Sequence, residues 1–75
     1  MVLNDAQKLR LYMVFDFEEW EEIVSAELFD DGQMDINYID TKDNTTGCYK
    51  PYFVDDEMKE KLDFILNGVQ LSRTE

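Results

Sequence analysis

Residues 17–39 read FEEWEEIVSAELFDDGQMDINYI, and this stretch decides the fold. Apolar residues alternate with polar ones on both sides of Asp30-Asp31-Gly32: Val24, Ala26 and Leu28 before it, and Met34, Ile36 and Tyr38 after it. Alternation with a period of two is typical of a half-buried strand, and a short loop that contains glycine joins two such strands. The stretch therefore predicts an antiparallel β-hairpin.

The length of the loop fixes which residues face each other. A two-residue loop of Asp31 and Gly32 would place Leu28 opposite Asp35 and divide the apolar series between the two faces. A three-residue loop, residues 30–32, keeps both series on one face and lets Gly32 supply the left-handed residue of a bulged turn. We therefore predict the longer loop, with the cross-strand pairs Leu28–Met34, Ala26–Ile36 and Val24–Tyr38.

The same register places Glu27 directly opposite Asp35 on the other face, between the pairs Ser25–Asn37 and Phe29–Gln33. Like charges in directly opposite positions destabilise a sheet by up to about 1 kcal/mol. One interpretation is that function retains this unfavourable pair. The other is that two exposed carboxylates simply turn away from each other into water, because exposed charge pairs interact weakly.

The charge of the chain is strongly negative, with 18 acidic residues against 7 basic ones and a net charge of −11. Ten of the acidic residues lie in the stretch from Asp16 to Asp40, both included, which contains no Lys or Arg. Such a surface repels nucleic acid and anionic membranes and attracts basic protein surfaces. The candidate partner-binding residues are Glu18, Glu19, Trp20, Glu21, Glu22, Glu27, Asp30, Asp31 and Asp35. Trp20 is either a half-exposed anchor for the partner or a residue that closes one end of the core.

The 75 residues predict one small acidic domain, residues 1–75, of the α+β class. Residues 5–16 fit a strand, because alternate positions are apolar, or a helix with a stripe that includes Leu9 and Met13. A cap at Asn4 or Asp5 and several helix-forming residues favour a helix from about Asp5 to Asp16. The predicted order is helix, β-hairpin, short third strand and helix, with an antiparallel sheet packed on the helices.

The third strand is predicted at Cys48–Phe53, after a polar loop at Thr41–Gly47. Pro51 should confine this strand to a sheet edge or shorten it, and Tyr49, Tyr52 and Phe53 are expected to cover the edge. The last helix begins after an N-cap at Asp55 and stops at Asn67-Gly68. Residues 70–75 are predicted to be a loose tail. The buried stripe of this helix is expected to consist of Met58, Leu62, Ile65 and Val69, with Leu66 on its flank.

Catalytic and metal-binding chemistry is scarce in this sequence. No histidine is present, so a Cys–His or Ser–His pair is excluded, and one cysteine without histidine argues against zinc. The aspartates around residue 31 do not have EF-hand spacing. We therefore expect no catalytic residues, no metal and no cofactor. Cys48 is predicted to be a partly buried apolar residue, and a single cysteine suits a reducing cytoplasm.

The combination of Glu18-Glu19-Trp20, the Asp30-Asp31-Gly32 turn and a helix opened by Val54-Asp55-Asp56-Glu57 resembles the YezG-type family of small acidic bacterial immunity proteins. The resemblance covers roughly residues 8–68 in patterning, with Phe17 where that family has a proline. It implies an inhibitor of a toxin that acts inside the cell.

Two functions from different classes fit these features. The first is a non-enzymatic inhibitor whose carboxylates stand in for phosphates on a basic nuclease, toxin or nucleic-acid-binding effector, as in immunity, anti-restriction and anti-CRISPR proteins. The second is a structural or adaptor module that forms a homodimer or joins a larger assembly through apolar residues on the hairpin face of Glu27, namely Ile23, Phe29 and Ile39.

Overall fold

The order of elements in the computed structural model, which describes residues 1–68, is helix–strand–strand–strand–helix. These elements are α1 (Asp5–Val14), β1 (Glu21–Leu28), β2 (Met34–Asp40), β3 (Thr45–Tyr49) and α2 (Asp56–Asn67). The strands form one antiparallel sheet in the order β1-β2-β3. The predicted α+β fold is confirmed, whereas Val69 and the predicted tail lie outside the described residues.

The β1–β2 hairpin has the predicted three-residue loop. Gly32 has a φ of 92°, which suits a residue without a side chain, and its N–H donates to the Phe29 carbonyl at 3.1 Å. The register near the loop is as predicted, with the pairs Leu28–Met34, Glu27–Asp35, Ala26–Ile36 and Ser25–Asn37.

Farther from the turn, the predicted pair Val24–Tyr38 is wrong. The register shifts between Ile23 and Ser25, so that Ile23 faces Tyr38 and Val24 is an extra residue. A β-bulge of this kind places two residues of one strand opposite one residue of the other. Ile23 therefore packs against the core instead of lying beside Glu27, and the Val24 side chain is 51% exposed.

Residues Asp5–Val14 form a helix, as predicted, and not a strand. The helix begins at a capping box. The Asn4 side chain accepts from the Gln7 N–H, and the Gln7 side chain accepts from the Asn4 N–H, both at 2.9 Å. The helix ends at Val14, two residues before the predicted end. Its buried side carries Gln7 and Leu11, whereas Leu9 and Met13 of the predicted stripe are 65% and 74% exposed.

Strand β3 begins earlier than predicted because residues 41–44 form a complete turn. The Asp40 carboxylate accepts from the N–H groups of Lys42 and Asp43, and Asn44 adopts a φ of 60°. The chain is thereby reversed by Thr45, so that Gly47 lies in the strand and not in a loop.

Strand β3 ends before Pro51, as expected because proline cannot donate a hydrogen bond to a neighbouring strand. The strand is at the sheet edge and stops at Tyr49, two residues before the proline. Phe53 is buried in the core, whereas Tyr52 is 54% exposed and only bridges to Gln33. Cys48, predicted to be partly buried, is exposed.

Helix α2 has the predicted caps, with Asp55 accepting from the Met58 N–H at 2.8 Å and Gly68 in the left-handed conformation. Ile65 is fully buried. The last turn of α2 has no basic residue, and α1 supplies the missing donors. Gln7 Nε2 donates to the Leu66 carbonyl at 3.1 Å, and Arg10 donates to the Ile65 carbonyl at 3.0 Å. These bonds satisfy carbonyls that a helix end leaves without partners.

Both helices contribute to a core on one side of the sheet. Residues 1–3, for which no strand is predicted, run along the free edge of β1, where the Leu3 N–H donates to the Ala26 carbonyl at 2.9 Å. The buried apolar residues are Leu3, Leu11, Ala26, Met34, Ile36, Phe53 and Ile65. Neither helix of residues 1–68 is long and apolar enough to cross a membrane.

Candidate partner-binding surface

The side of the sheet that faces away from the helices, here called the outer face, carries the predicted carboxylate pair. It is formed by Ser25 and Glu27 of β1, by Asp35, Asn37 and Ile39 of β2 with the preceding Gln33, and by Thr46 and Cys48 of β3. Glu27 is exposed and Asp35 is half-buried. The two carboxylates occupy directly opposite positions, whose Cβ atoms lie about 5 Å apart in an antiparallel sheet.

Two side chains that are not among the candidate residues from the sequence hold Asp35 in place. Gln33 Nε2 donates to the Asp35 carboxylate at 2.9 Å, and the Tyr52 hydroxyl donates to the Gln33 side-chain oxygen at 2.8 Å. Tyr52 therefore fixes the orientation of the Gln33 amide, which in turn fixes the carboxylate. Gln33 and Asp35 are two residues apart in the sequence, which is a local signal for their contact, whereas the contact with Tyr52 depends on the path of the chain after β3.

No basic side chain of residues 1–68 is bound to the carboxylates of the outer face. The salt bridges among residues 1–68 join Lys8 to Asp5 at 3.4 Å and Lys61 to Glu57 at 3.8 Å, both within helices. The β2–β3 register, continued through the bridge between Gln33 and Tyr52, places Lys50 next to Asp35 without such a salt bridge. Within the described part of the chain, no salt bridge therefore neutralises Glu27 or Asp35.

The turn extends the acidic surface at one end of the hairpin. Asp30 and Asp31 are both exposed. The Asp31 carboxylate accepts from the Gln33 N–H at 3.0 Å, which fixes this side chain across the turn. Since a strand rises about 3.4 Å per residue, both aspartates lie within about 15 Å of Glu27 along the hairpin.

The remaining acidic candidates lie near the opposite end and do not form one cluster with the pair. Glu22 is on the outer face, but it faces Ile39 and is five residues, or about 17 Å, from Glu27. Glu18 and Glu19 are exposed in the turn before β1. Glu21 lies on the inner side of the sheet, where its carboxylate accepts from the Glu18 N–H at 2.8 Å.

Trp20 is half-buried and is not among the described residues that pack against the core, which does not support the alternative in which it closes one end of the core. Its carbonyl accepts from the N–H and the hydroxyl of Thr41, both at 2.7 Å. The Lys42 ammonium lies 4.5 Å from the centre of the Trp20 ring. Trp20 thus joins the start of β1 to the β2–β3 turn.

No group of three or more Cys, Asp or Glu side chains within residues 1–68 is arranged to hold a metal ion. Comparisons of the chain with protein-family models, curated proteins and solved structures found no significant match. The resemblance to YezG-type immunity proteins stays a prediction.

Proposed function

We propose that this protein is a non-enzymatic inhibitor that binds a basic, nucleic-acid-binding surface of a partner protein through the outer face of its hairpin. The observation that carries the proposal is the Glu27–Asp35 pair. No salt bridge among residues 1–68 neutralises this pair, and Gln33 holds Asp35 in place. The partner is a nuclease, a toxin or another nucleic-acid-binding effector, and the role is of the immunity, anti-restriction or anti-CRISPR type. The lone Cys48 supports action in the cytoplasm.

The physical basis of the proposal is that the pair is unfavourable in the free protein and favourable in a complex. Two opposed carboxylates repel each other in the free sheet. An arginine of the partner can donate to both carboxylates at once, since its five N–H donors form a planar fork. Each charge-assisted hydrogen bond contributes about 1.5–3 kcal/mol, which exceeds the repulsion that it relieves. The same basic surface would otherwise contact phosphates.

Affinity capture tests this proposal. Tagged wild-type protein and the double variant Glu27→Lys, Asp35→Lys are incubated with native host lysate at low and moderate salt, and captured proteins are identified by mass spectrometry. The matched control is Glu57→Lys, Glu60→Lys on α2, which changes the net charge equally on the other side of the sheet. Wild type and control should capture one basic nucleic-acid-binding protein that the hairpin variant loses. Equal capture by all three proteins would refute this site.

A second candidate function, a homodimeric structural module, is favoured by the exposure of Leu9 and Met13. The two side chains are four residues apart on α1 and therefore lie on the same helix face. Phe29 and Ile39 of the hairpin are partly exposed as well. Sedimentation at increasing protein concentration tests this alternative. Self-association that persists in high salt and is abolished by Leu9→Lys would support it, and a monomer at all concentrations would exclude it.

A further inference from the structure

A cleft of about 440 Å³ opens on the inner side of the sheet, where the chain passes from α1 to β1. The cleft and the outer face lie on opposite sides of the sheet. Of the candidate partner-binding residues, Glu21 alone lines the cleft. The cleft is lined by Val14, Phe15, Asp16, Phe17, Glu21, Tyr38 and Tyr49. Four aromatic rings and two carboxylates therefore surround one space.

The aromatic rings form two supported walls. Phe15 contacts Tyr49 edge-to-face, with ring centres 5.2 Å apart, and Phe17 contacts Tyr38 in the same manner at 5.7 Å. Each phenylalanine also contacts a second ring outside the cleft: Phe15 contacts Phe53 at 6.1 Å and Phe17 contacts Tyr12 at 5.7 Å. Edge-to-face pairs at these distances are favourable, so the walls are formed before any ligand binds.

Gly47 permits the position of the Tyr38 ring. A Cβ atom at residue 47 would lie 2.5 Å from Cζ of Tyr38, so the ring occupies the space that a side chain of β3 would take. Between the walls, the Phe17 N–H donates to the Phe15 carbonyl at 3.1 Å and closes a tight turn with Asp16 at its tip. This turn directs Phe15 and Phe17 to the two different walls.

The charged residues of the cleft are acidic. Asp16 is exposed and Glu21 is half-buried. One carboxylate oxygen of Glu21 accepts from the Glu18 N–H, and the other has no hydrogen-bond donor among residues 1–68. Asp40 faces Glu21 across the strands and adds a third negative charge nearby. None of the Lys and Arg residues in the described range 1–68 lines the cleft.

We propose that this cleft binds an arginine side chain of the partner protein. Guanidinium groups stack on aromatic rings and donate paired hydrogen bonds to carboxylates, whereas ammonium groups are compact and more strongly hydrated. A neutral apolar side chain would shield Asp16 and Glu21 from water without any compensating bond, which is unfavourable. The inference rests on the proposed function in one respect, namely that the arginine belongs to the partner protein.

An NMR titration tests the cleft without any partner. The probe is N-acetyl-arginine methylamide, and its neutral isostere N-acetyl-citrulline methylamide and the corresponding lysine compound are the controls. The arginine probe should shift the amide signals of residues 15–17, 38 and 47 with a dissociation constant of about 1 mM, a value in keeping with its size. Citrulline and lysine should bind at least about tenfold more weakly.

The substitution Glu21→Gln isolates the charge, because glutamine keeps an oxygen that can accept from the Glu18 N–H. It should weaken binding of the arginine probe about tenfold. The control Glu60→Gln removes the same charge from α2, none of whose residues lines the cleft, and should leave the affinity unchanged.

Three results would overturn the inference: no shifts in the cleft at about 20 mM probe, equal binding of citrulline or lysine, or equal weakening by both substitutions. If the titration fails while capture still depends on Glu27 and Asp35, only the cleft inference is refuted. If arginine binds while capture is indifferent to that pair, the cleft stands and the hairpin proposal is refuted.

Discussion

Replacing Glu27 with lysine should stabilise the free protein, because Glu27 lies directly opposite Asp35. The substitution removes a like-charge pair that costs up to about 1 kcal/mol and creates an opposite-charge pair that contributes about 0.2–1 kcal/mol. Since Glu27 is exposed, screening by water reduces both effects. We expect a net increase of about 1 kcal/mol in the free energy of unfolding.

Urea unfolding followed by circular dichroism measures this change. If the free energy of unfolding falls by about 1 kcal/mol per molar urea, the midpoint of the unfolding transition should rise by about 1 M urea. The melting temperature should rise by about 4–8 °C for a domain of this length. In about 1 M NaCl, where the Debye length is about 3 Å, most of the gain should disappear.

The control for this experiment is Glu22→Lys in the same strand. Glu22 is also exposed on the outer face, but it faces Ile39, so its replacement changes the net charge equally without affecting a carboxylate pair. The difference between the two variants therefore reports the pair alone. If Glu27→Lys is no more stable than Glu22→Lys at low salt, the two carboxylates do not repel each other appreciably.

Two further substitutions test how the helices and the cleft are held. Gln7→Ala removes the bonds to the Asn4 N–H and the Leu66 carbonyl and should lower the free energy of unfolding by about 1–3 kcal/mol in a urea titration; a loss below about 0.5 kcal/mol would contradict their role. Gly47→Ala should displace the Tyr38 ring and abolish binding of the arginine probe. Its unfolding free energy should change by less than about 1 kcal/mol, because the strand preference of alanine offsets a lost aromatic contact, and retained binding would contradict the account.

The sequence predicts the hairpin turn because local features determine it. A period of two and one glycine suffice to place Glu27 opposite Asp35. The bulge at Val24 has no such signal, since no glycine or proline marks it, and it exchanges the environments of Ile23 and Val24. Packing of α1 across the start of β1 accompanies the bulge: the Ile23 N–H donates to the Tyr12 hydroxyl.

The helices show the same division between local and long-range information. The caps at Asn4, Asp55 and Gly68 are visible in the sequence and fix where the helices begin and where α2 ends. The buried side of α1 could not be predicted from the sequence, because polar Gln7 is buried and apolar Leu9 is exposed. Gln7 is buried where its side chain donates to the Leu66 carbonyl at the end of α2. That exchange depends on the contact between the two helices.

The candidate surface is likewise only partly local. The carboxylate pair follows from the register, but its support by Tyr52 through Gln33 requires the bridge formed after β3. The cleft is formed by the α1–β1 connection together with β2 and β3. The contact between Phe15 and Tyr49 therefore could not be predicted from the sequence alone.

The salt dependence of association tests the central claim most directly. The captured partner is purified, and its association rate constant is measured by stopped flow over a range of ionic strengths. Electrostatic steering by the outer face should make the wild-type rate fall steeply with salt. Glu27→Lys, Asp35→Lys should start slower and show a shallower slope, whereas Glu57→Lys, Glu60→Lys should keep the wild-type slope. Equal slopes for all three proteins would contradict the claim that the Glu27–Asp35 pair binds the partner.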